Sequence, residues 1–289
     1  MKAWIVTNTS GVEDKCMDIL NWMEDNKVVG MDRIVYNDVM NAYARSCRDD
    51  SGDLAGRVFN RLIARFNRTK DKRFRPDKYS YISLLNAHSR GCKTHEAAMK
   101  AEFVLFDMMD SNILPDSKLC NTVISAWARS GSDVSIMHAE EIFSRMDALY
   151  IEADLICFNS LIHVYAKSND SGKTIGALRV LDRMKERNFS PNSVTYTLLL
   201  EACQDDDEYV IKLFESCIEQ GLLDEKLQIN FSECGPECIR ERLRSDIPYM
   251  WSKNANRGPG GRSRKQKRWD MKQGNTHTGA NLREFCWAR

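Results

Sequence analysis

Apolar side chains recur at i, i+3, i+4 and i+7 in segment after segment of this chain, the spacing that lines up one stripe of an α-helix. Five such segments open alike: RIVYNDVMNAYARS from Arg33, KYSYISLLNAHSRG from Lys78, SKLCNTVISAWARSG from Ser117, LICFNSLIHVYAKSN from Leu155 and SVTYTLLLEACQ from Ser193. Their aromatic or cysteine landmarks, Tyr36, Tyr81, Cys120, Phe158 and Tyr196, stand 45, 39, 38 and 38 residues apart. In the third segment the stripe is Cys120, Val123, Ile124 and Trp127; in the fourth it is Phe158, Leu161, Ile162 and Tyr165. A small residue near the end, Ala42, Ala87, Ala126 or Ala202, lets a neighbouring helix approach closely, with Val164 in that place in the fourth. These are termed A helices.

A second periodic run, a B helix, follows each A helix. The stripes are Ala55, Val58, Phe59 and Leu62; Ala101, Val104, Leu105 and Met108; Ala139, Ile142, Phe143 and Met146; Ala177, Val180, Leu181 and Met184; and Val210, Leu213, Phe214 and Cys217. Turn residues such as SNDSGK part A from B, and B ends in RFRPD, NILPD, YIEAD or NFSPN. Proline stops a helix and biases its predecessor away from one. The Asp or Asn beside it can cap the helix that follows. Pro191-Asn192 is therefore a joint between two units.

A helical hairpin cannot bury its apolar face alone, whereas stacked hairpins can. The expected fold is all-α: an α-solenoid of stacked antiparallel helical hairpins wound as a right-handed superhelix. The expected organisation is a partial hairpin repeat over residues 1–32, five repeats over 33–227, a capping segment over 228–250 with a helix near Ile239–Leu243, and a basic, disordered tail over 251–289. The opening stretch AWIVTNTSGVEDKCMDILNWMEDN reads as the back half of an A helix plus a whole B helix, with Cys16, Ile19, Leu20 and Met23 in B-helix places. The first A helix lacks its beginning, which points to a truncated N-terminus and places any targeting peptide upstream.

Charge changes the picture at one end. The 289 residues carry a net +1. Residues 251–289 hold ten Lys/Arg against two Asp/Glu, a net +8, leaving 32 against 39, a net −7, on the first 250. The body is acidic and the tail basic, and Trp251, Trp269, Phe285 and Trp287 in that tail could stack on bases. No apolar run approaches the length of a membrane span, so no membrane partner is expected. The ten cysteines are scattered with no secretory signal, as expected of reduced thiols. Cys234 and Cys238 form a C-x3-C pair without a second Cys/His pair, so no metal or cofactor is expected. His88, His95, His138 and His163 read as packing or surface residues. No nucleophile or general-base constellation stands out, so the chain does not read as an enzyme and no small-molecule substrate is expected. The acidic runs RDD at 48–50 and DDDE at 205–208 read as solvated turns between A and B.

One ladder emerges from spacing alone. A cation follows the end of four A helices, Arg45, Arg90, Arg129 and Lys167, and the ladder ends at Gln204 in the fifth. One positive charge per unit on an otherwise acidic body suits a polyanion. The same places also complement the helix C-termini.

Architecture alone leaves tetratricopeptide-like scaffolds for protein partners as the alternative, but their Trp-x-x-Leu-Gly pattern is missing. PNSVTYTLLLEACQ, PDKYSYISLLNAHSRG and ADLICFNSLIHVYAKS resemble the pentatricopeptide repeat instead, over roughly residues 1–225. The resemblance rests on the aromatic opening of A, its small-aromatic end, the Met ending B and the Pro-Asp joint. Units here are longer than the family's period, through extra residues between A and B and, in unit one, before Asp77. The resemblance implies one RNA strand along the A helices, with one base read per unit. By the family's pattern the base-reading pairs would be Asn37 with Asp77, Ile82 with Asp116, Asn121 with Asp154 and Asn159 with Asn192. Thr197 would serve the fifth unit, with Asp224 or Glu225 as its partner. Asn with Asp looks like uracil and Asn with Asn like either pyrimidine, while Ile82 cannot hydrogen-bond. Ile34, Tyr79, Ile156 and Val194 would flank the bases, Lys118 departing from that apolar set, and Arg45, Arg90, Arg129 and Lys167 would face phosphates. The expected function is a sequence-selective adaptor for pyrimidine-rich single-stranded RNA in a mitochondrion or plastid. It would act by occupancy in RNA processing, stability or translation, with organellar RNA-processing proteins as further partners.

Overall fold

The computed structural model describes residues 11–46, 48–91 and 94–244. Every regular element among them is helical. The B helices are α1 (Val12–Asp25), α3 (Ser51–Thr69), α5 (His95–Asp110), α7 (Ser135–Ala148), α9 (Lys173–Glu186) and α11 (Asp207–Glu219). The A helices are α2 (Arg33–Ser46), α4 (Lys78–Gly91), α6 (Ser117–Ser130), α8 (Leu155–Lys167) and α10 (Ser193–Cys203). A closing hairpin follows, α12 (Glu225–Cys234) and α13 (Glu237–Arg244), and a short 3-10 turn spans Lys72–Phe74. Each A helix packs on its own B helix and on the A helix of the next unit, the chain of neighbour contacts that defines an α-solenoid.

The stripes read from the sequence are the core. All four residues of each B stripe are buried, as are Tyr36, Tyr81, Cys120, Phe158 and Tyr196. The buried tyrosines Tyr36 and Tyr196 and the half-buried Tyr165 keep a polar outlet, because an unpaired hydroxyl is costly inside. Tyr36 donates to Glu24 at 2.6 Å, Tyr165 to Glu140 at 2.9 Å, and Tyr196 accepts from Gln220 at 2.8 Å. Arg61 holds Glu24 from α3, and Arg183 holds Glu140 from α9 at 2.8 Å.

The joints explain why a methionine ends B. After α1, α5, α7, α9 and α11 the chain turns through one left-handed residue: Lys27, Asn112, Tyr150, Asn188 and Gly221. The next residue's N–H then reaches back five places: Val28 to Met23, Ile113 to Met108, Ile151 to Met146, Phe189 to Met184 and Leu222 to Cys217, at 2.8–3.1 Å. This is the Schellman closure, in which an apolar residue past the turn lies against the apolar residue whose carbonyl it binds. Two or three residues on, an Asp or Asn caps the next helix: Asp116 accepts from Leu119 N, Asp154 from Cys157 N, Asn192 from Thr195 N and Asp224 from Leu227 N. Asp77 accepts from Ser80 N at 3.0 Å. Unit one alone replaces the Schellman closure: α3 runs on to Thr69, Lys70 turns left-handed, and the 3-10 turn buries Phe74 under Arg65.

Glycine marks two close crossings of A and B. A Cβ on Gly176 would fall 2.1 Å from the Tyr165 ring, and one on Gly52 2.4 Å from Nδ1 of His88. His88 is thereby sealed at 8% exposure. Burial, opposed by Asp53 and seconded by Lys100, depresses its pKa to about 4. Between about pH 6.5 and 4 the unfolded chain takes a proton that the folded chain refuses, so stability falls as the pH falls through that window. The loss from this one group is on the order of 3 kcal/mol. His88→Gln should flatten the acid side of a melting-temperature profile relative to the parent; superimposable profiles would refute the assignment.

The structure refines three expectations. α12 runs across residue 227, so the closing hairpin starts at Glu225, inside the span expected to finish unit five. The A-type stripe there is reduced to Leu227 and Phe231, too few apolar positions to read as a repeat. The run at 205–208 is not a plain turn: Asp206 caps α11, and Asp207 and Glu208 form its first turn. In the closing hairpin the helix expected near Ile239–Leu243 is α13, with Ile239 buried. The expected tail and the half helix at the N-terminus lie outside the described residues.

Candidate nucleic-acid interface

The second residues of the A helices form an exposed row. Ile34 is 48% exposed, Tyr79 71%, Ile156 60% and Val194 51%. Lys118 holds that place on α6 and is also exposed. Apolar side chains left in water at one helical register in four of the five units are the kind of exposure that marks a binding surface. Eleven residues on, Arg45, Arg90, Arg129 and Lys167 are exposed as well. Eleven residues are three turns plus about 20°, so apolar residue and cation share one helix face, about 16 Å apart along the axis. Three residues after the apolar row come Asn37, Ile82, Asn121, Asn159 and Thr197.

The closing residues sit beside this row because they are the helix caps. One oxygen of each is spent on the backbone, which fixes the side chain and leaves the second carboxylate oxygen of Asp77, Asp116 and Asp154, or the amide nitrogen of Asn192, to point elsewhere. In unit four the expected pair converges on one hydroxyl: Thr195 Oγ1 lies 2.8 Å from Asn159 Oδ1 and 3.1 Å from Asn192 Oδ1. In unit one Asp77 Oδ2 receives Arg33 at 2.6 Å. Burial pushes the Asp77 carboxyl up, but Arg33 and the Ser80 hydrogen bonds outweigh it and hold the group below its usual range. In unit two Lys78 lies 3.6 Å from Asp116 Oδ2. Arg33 and Lys78, the first residues of their helices, were not singled out from the sequence, although a cation opening A with an acid closing the unit was the signal for them.

The positions expected to read bases are not equivalent. Asn37 is 7% exposed, nearly sealed beneath its neighbours, whereas Ile82, Asn121, Asn159 and Thr197 are half-buried. The Oδ1 atoms of Asn37 and Asn121 are buried with no hydrogen-bond partner among the described residues, so both amides have unspent capacity. Thr197 donates back to Ser193 O at 2.9 Å, within its own helix. The cations differ too. Arg129 donates to Ser89 O at 2.7 Å across the joint between α4 and α6, and burial lowers its pKa. Lys167 pairs with Glu201 of the next unit at 2.5 Å. The thiols of Cys120, Cys157 and Cys203 are pushed up by burial to about 12, 12 and 11, the behaviour of packing residues rather than nucleophiles. Cys234 is half-buried and Cys238 exposed, both as free thiols. Among the described residues no helix is long and apolar enough to cross a membrane.

Residues 153–205 match the family model for the PPR repeat family, and residues 103–168 match that for the pentatricopeptide repeat domain. A mitochondrial pentatricopeptide repeat-containing protein of Arabidopsis thaliana is 28% identical over 45% of this chain and 14% of its own length. A chloroplastic one is 27% identical over 65% of this chain and 22% of its own. The chain thus spans a fifth or less of the first and about a fifth of the second. The crystal structure of the pentatricopeptide repeat protein PPR10 from maize superposes with a TM-score of 0.52 at 17% identity, covering 81% of this chain and 37% of that one, a likeness of fold.

Proposed function

Taking as its premise that the chain belongs to the pentatricopeptide repeat family, we propose that it is a non-catalytic adaptor that grips single-stranded RNA along its A helices. The observation that carries this reading is the exposed apolar row Ile34, Tyr79, Ile156 and Val194, with Arg45, Arg90 and Lys167 eleven residues beyond the first three and Arg129 eleven beyond Lys118, which holds the row's place in unit three. Bases stack on apolar and aromatic faces, phosphates meet the cations, and base edges meet polar groups between them. Asn121 with Asp154 and Asn159 with Asn192 are the best-formed readers. Asn37 with Asp77 reads more weakly, because Asn37 is sealed and Asp77 already holds Arg33. Unit two, with Ile82 and Asp116, tolerates any base. From the N-terminus the RNA runs 5′ to 3′ as U, any base, U, pyrimidine, and Thr197 adds a weak fifth contact. The Arabidopsis relatives named for mitochondrion or chloroplast support action in an organelle, in RNA processing, stability or translation.

The test is a gel shift of the full chain with pyrimidine-rich and purine-rich single-stranded RNA. Asn121→Thr should cost the preferred sequence about 1–3 kcal/mol and move one position toward a purine. Equal weakening for all sequences would remove base reading at that unit. Failure to retain any RNA at low salt, with capture of a protein partner on the same face, would replace this reading with that of a protein scaffold.

A further inference from the structure

The joint between units two and three differs from the others. Its A helices α4 and α6 touch sparsely, while its B helices bring three ligand-bearing side chains together on the opposite side of the stack. Glu102 on α5, and His138 and Glu141 on α7, each offer one ligand atom, all within 4.8 Å of one another. His138 and Glu141 are three residues apart and so share a helix face. Glu102 is 5% exposed, and its Oε1 has no hydrogen-bond partner among the described residues. Its Oε2 lies 2.8 Å from His138 Nδ1, yet that nitrogen also lacks a partner in hydrogen-bond geometry. Trp127 stacks on the His138 ring at 4.2 Å and 6°, fixing the plane of the imidazole.

A carboxylate sealed away from water with one oxygen unmatched is an unfavourable arrangement unless something else satisfies it. Burial pushes the Glu102 carboxyl up, with His138 opposing and Glu141 adding to the rise. A proton or a cation would answer the same need. The second carboxylate at the cluster favours the cation, since a proton satisfies Glu102 alone whereas a cation draws on Glu141 as well. Glu141 is otherwise held by Arg145 at 2.9 Å in an exposed pair, which is weakly held and readily exchanged.

We propose that Glu102, His138 and Glu141 bind a divalent transition-metal ion of the zinc type, tying the B helices of units two and three. One imidazole nitrogen and two carboxylate oxygens are a borderline donor set suited to Zn2+ and Co2+, with water in the fourth position. Ca2+ and Mg2+ prefer oxygen alone. Spacing along the chain could not show the site, because Glu102 and His138 lie 36 residues apart on different helices.

The experiment is Co2+ binding to the full chain by equilibrium dialysis and visible absorption, with thermal unfolding in Zn2+ as the second readout. One Co2+ per chain in an N/O environment is expected, without the charge-transfer band of thiolate ligation, and Zn2+ should raise the melting temperature. Glu141→Gln, at an exposed position, and Glu102→Gln should each weaken binding at least about tenfold. Both should fold without metal, Glu102→Gln at least as stably as the parent. Binding of equal strength in parent and variants would place the ion elsewhere, on cysteines or His277, and overturn the proposal. So would the absence of stoichiometric binding at micromolar metal.

Discussion

Trp127→Ala is expected to lower the unfolding free energy by about 3–5 kcal/mol, the range for deleting a large buried aromatic. The indole is fully buried, lies edge-on to His95 of α5 at 5.3 Å and stacks on His138 of α7. One A-helix side chain thus fills the space between two B helices. Helical backbone borders the site, so little of the cavity can collapse. The indole Nε1 has no partner among the described residues, however, so part of the native arrangement is already unfavourable. Trp127→Phe removes that orphaned donor together with some volume, and should cost less than half as much as alanine. Denaturant unfolding of both variants checks the order. Equal costs would mean that the indole nitrogen is matched in solution. Since a repeat array is held together by nearest neighbours, hydrogen exchange should rise most in α5, α6 and α7 and fade toward both ends.

The second large effect concerns RNA. Replacing Arg45, Arg90 and Arg129 together by alanine should reduce the slope of log affinity against log salt by about 2, at roughly 0.7 per phosphate contact for a single strand. Base preference should survive, because cations positioned by phosphates carry no sequence information. Lys167→Ala should change the slope less than Arg90→Ala, since Glu201 already occupies the lysine. Arg129 also ties α6 to Ser89 of α4, so circular dichroism must show that the triple variant is folded. A folded triple variant with an undiminished slope would mean that phosphates pass elsewhere.

Helices and joints were legible because each rests on local chemistry. Stripes at helical spacing named the buried residues, and Pro-Asp or Pro-Asn named the caps. The left-handed joints were less visible: Tyr150, at φ 57, carries no glycine to announce the turn. α12 was missed because Leu227 and Phe231 are its only fully buried residues. At the candidate site, the register of Asn121, Asn159 and the exposed apolar row could be read because it repeats. The sealing of Asn37 and the pairs Arg33 with Asp77 and Lys167 with Glu201 could not, since each depends on how one unit leans on the next. The Glu102, His138 and Glu141 cluster was hidden for the same reason.

The Schellman closures after α1, α5, α7, α9 and α11 have a genetic corollary. Because one backbone staircase links B to the following A each time, the stretch from one left-handed residue to the next is a self-contained cassette. Unequal crossing-over at two such steps would duplicate or excise a whole cassette with its caps, stripe and reader intact. Under the proposed function, the length of RNA recognised would then change by whole nucleotides.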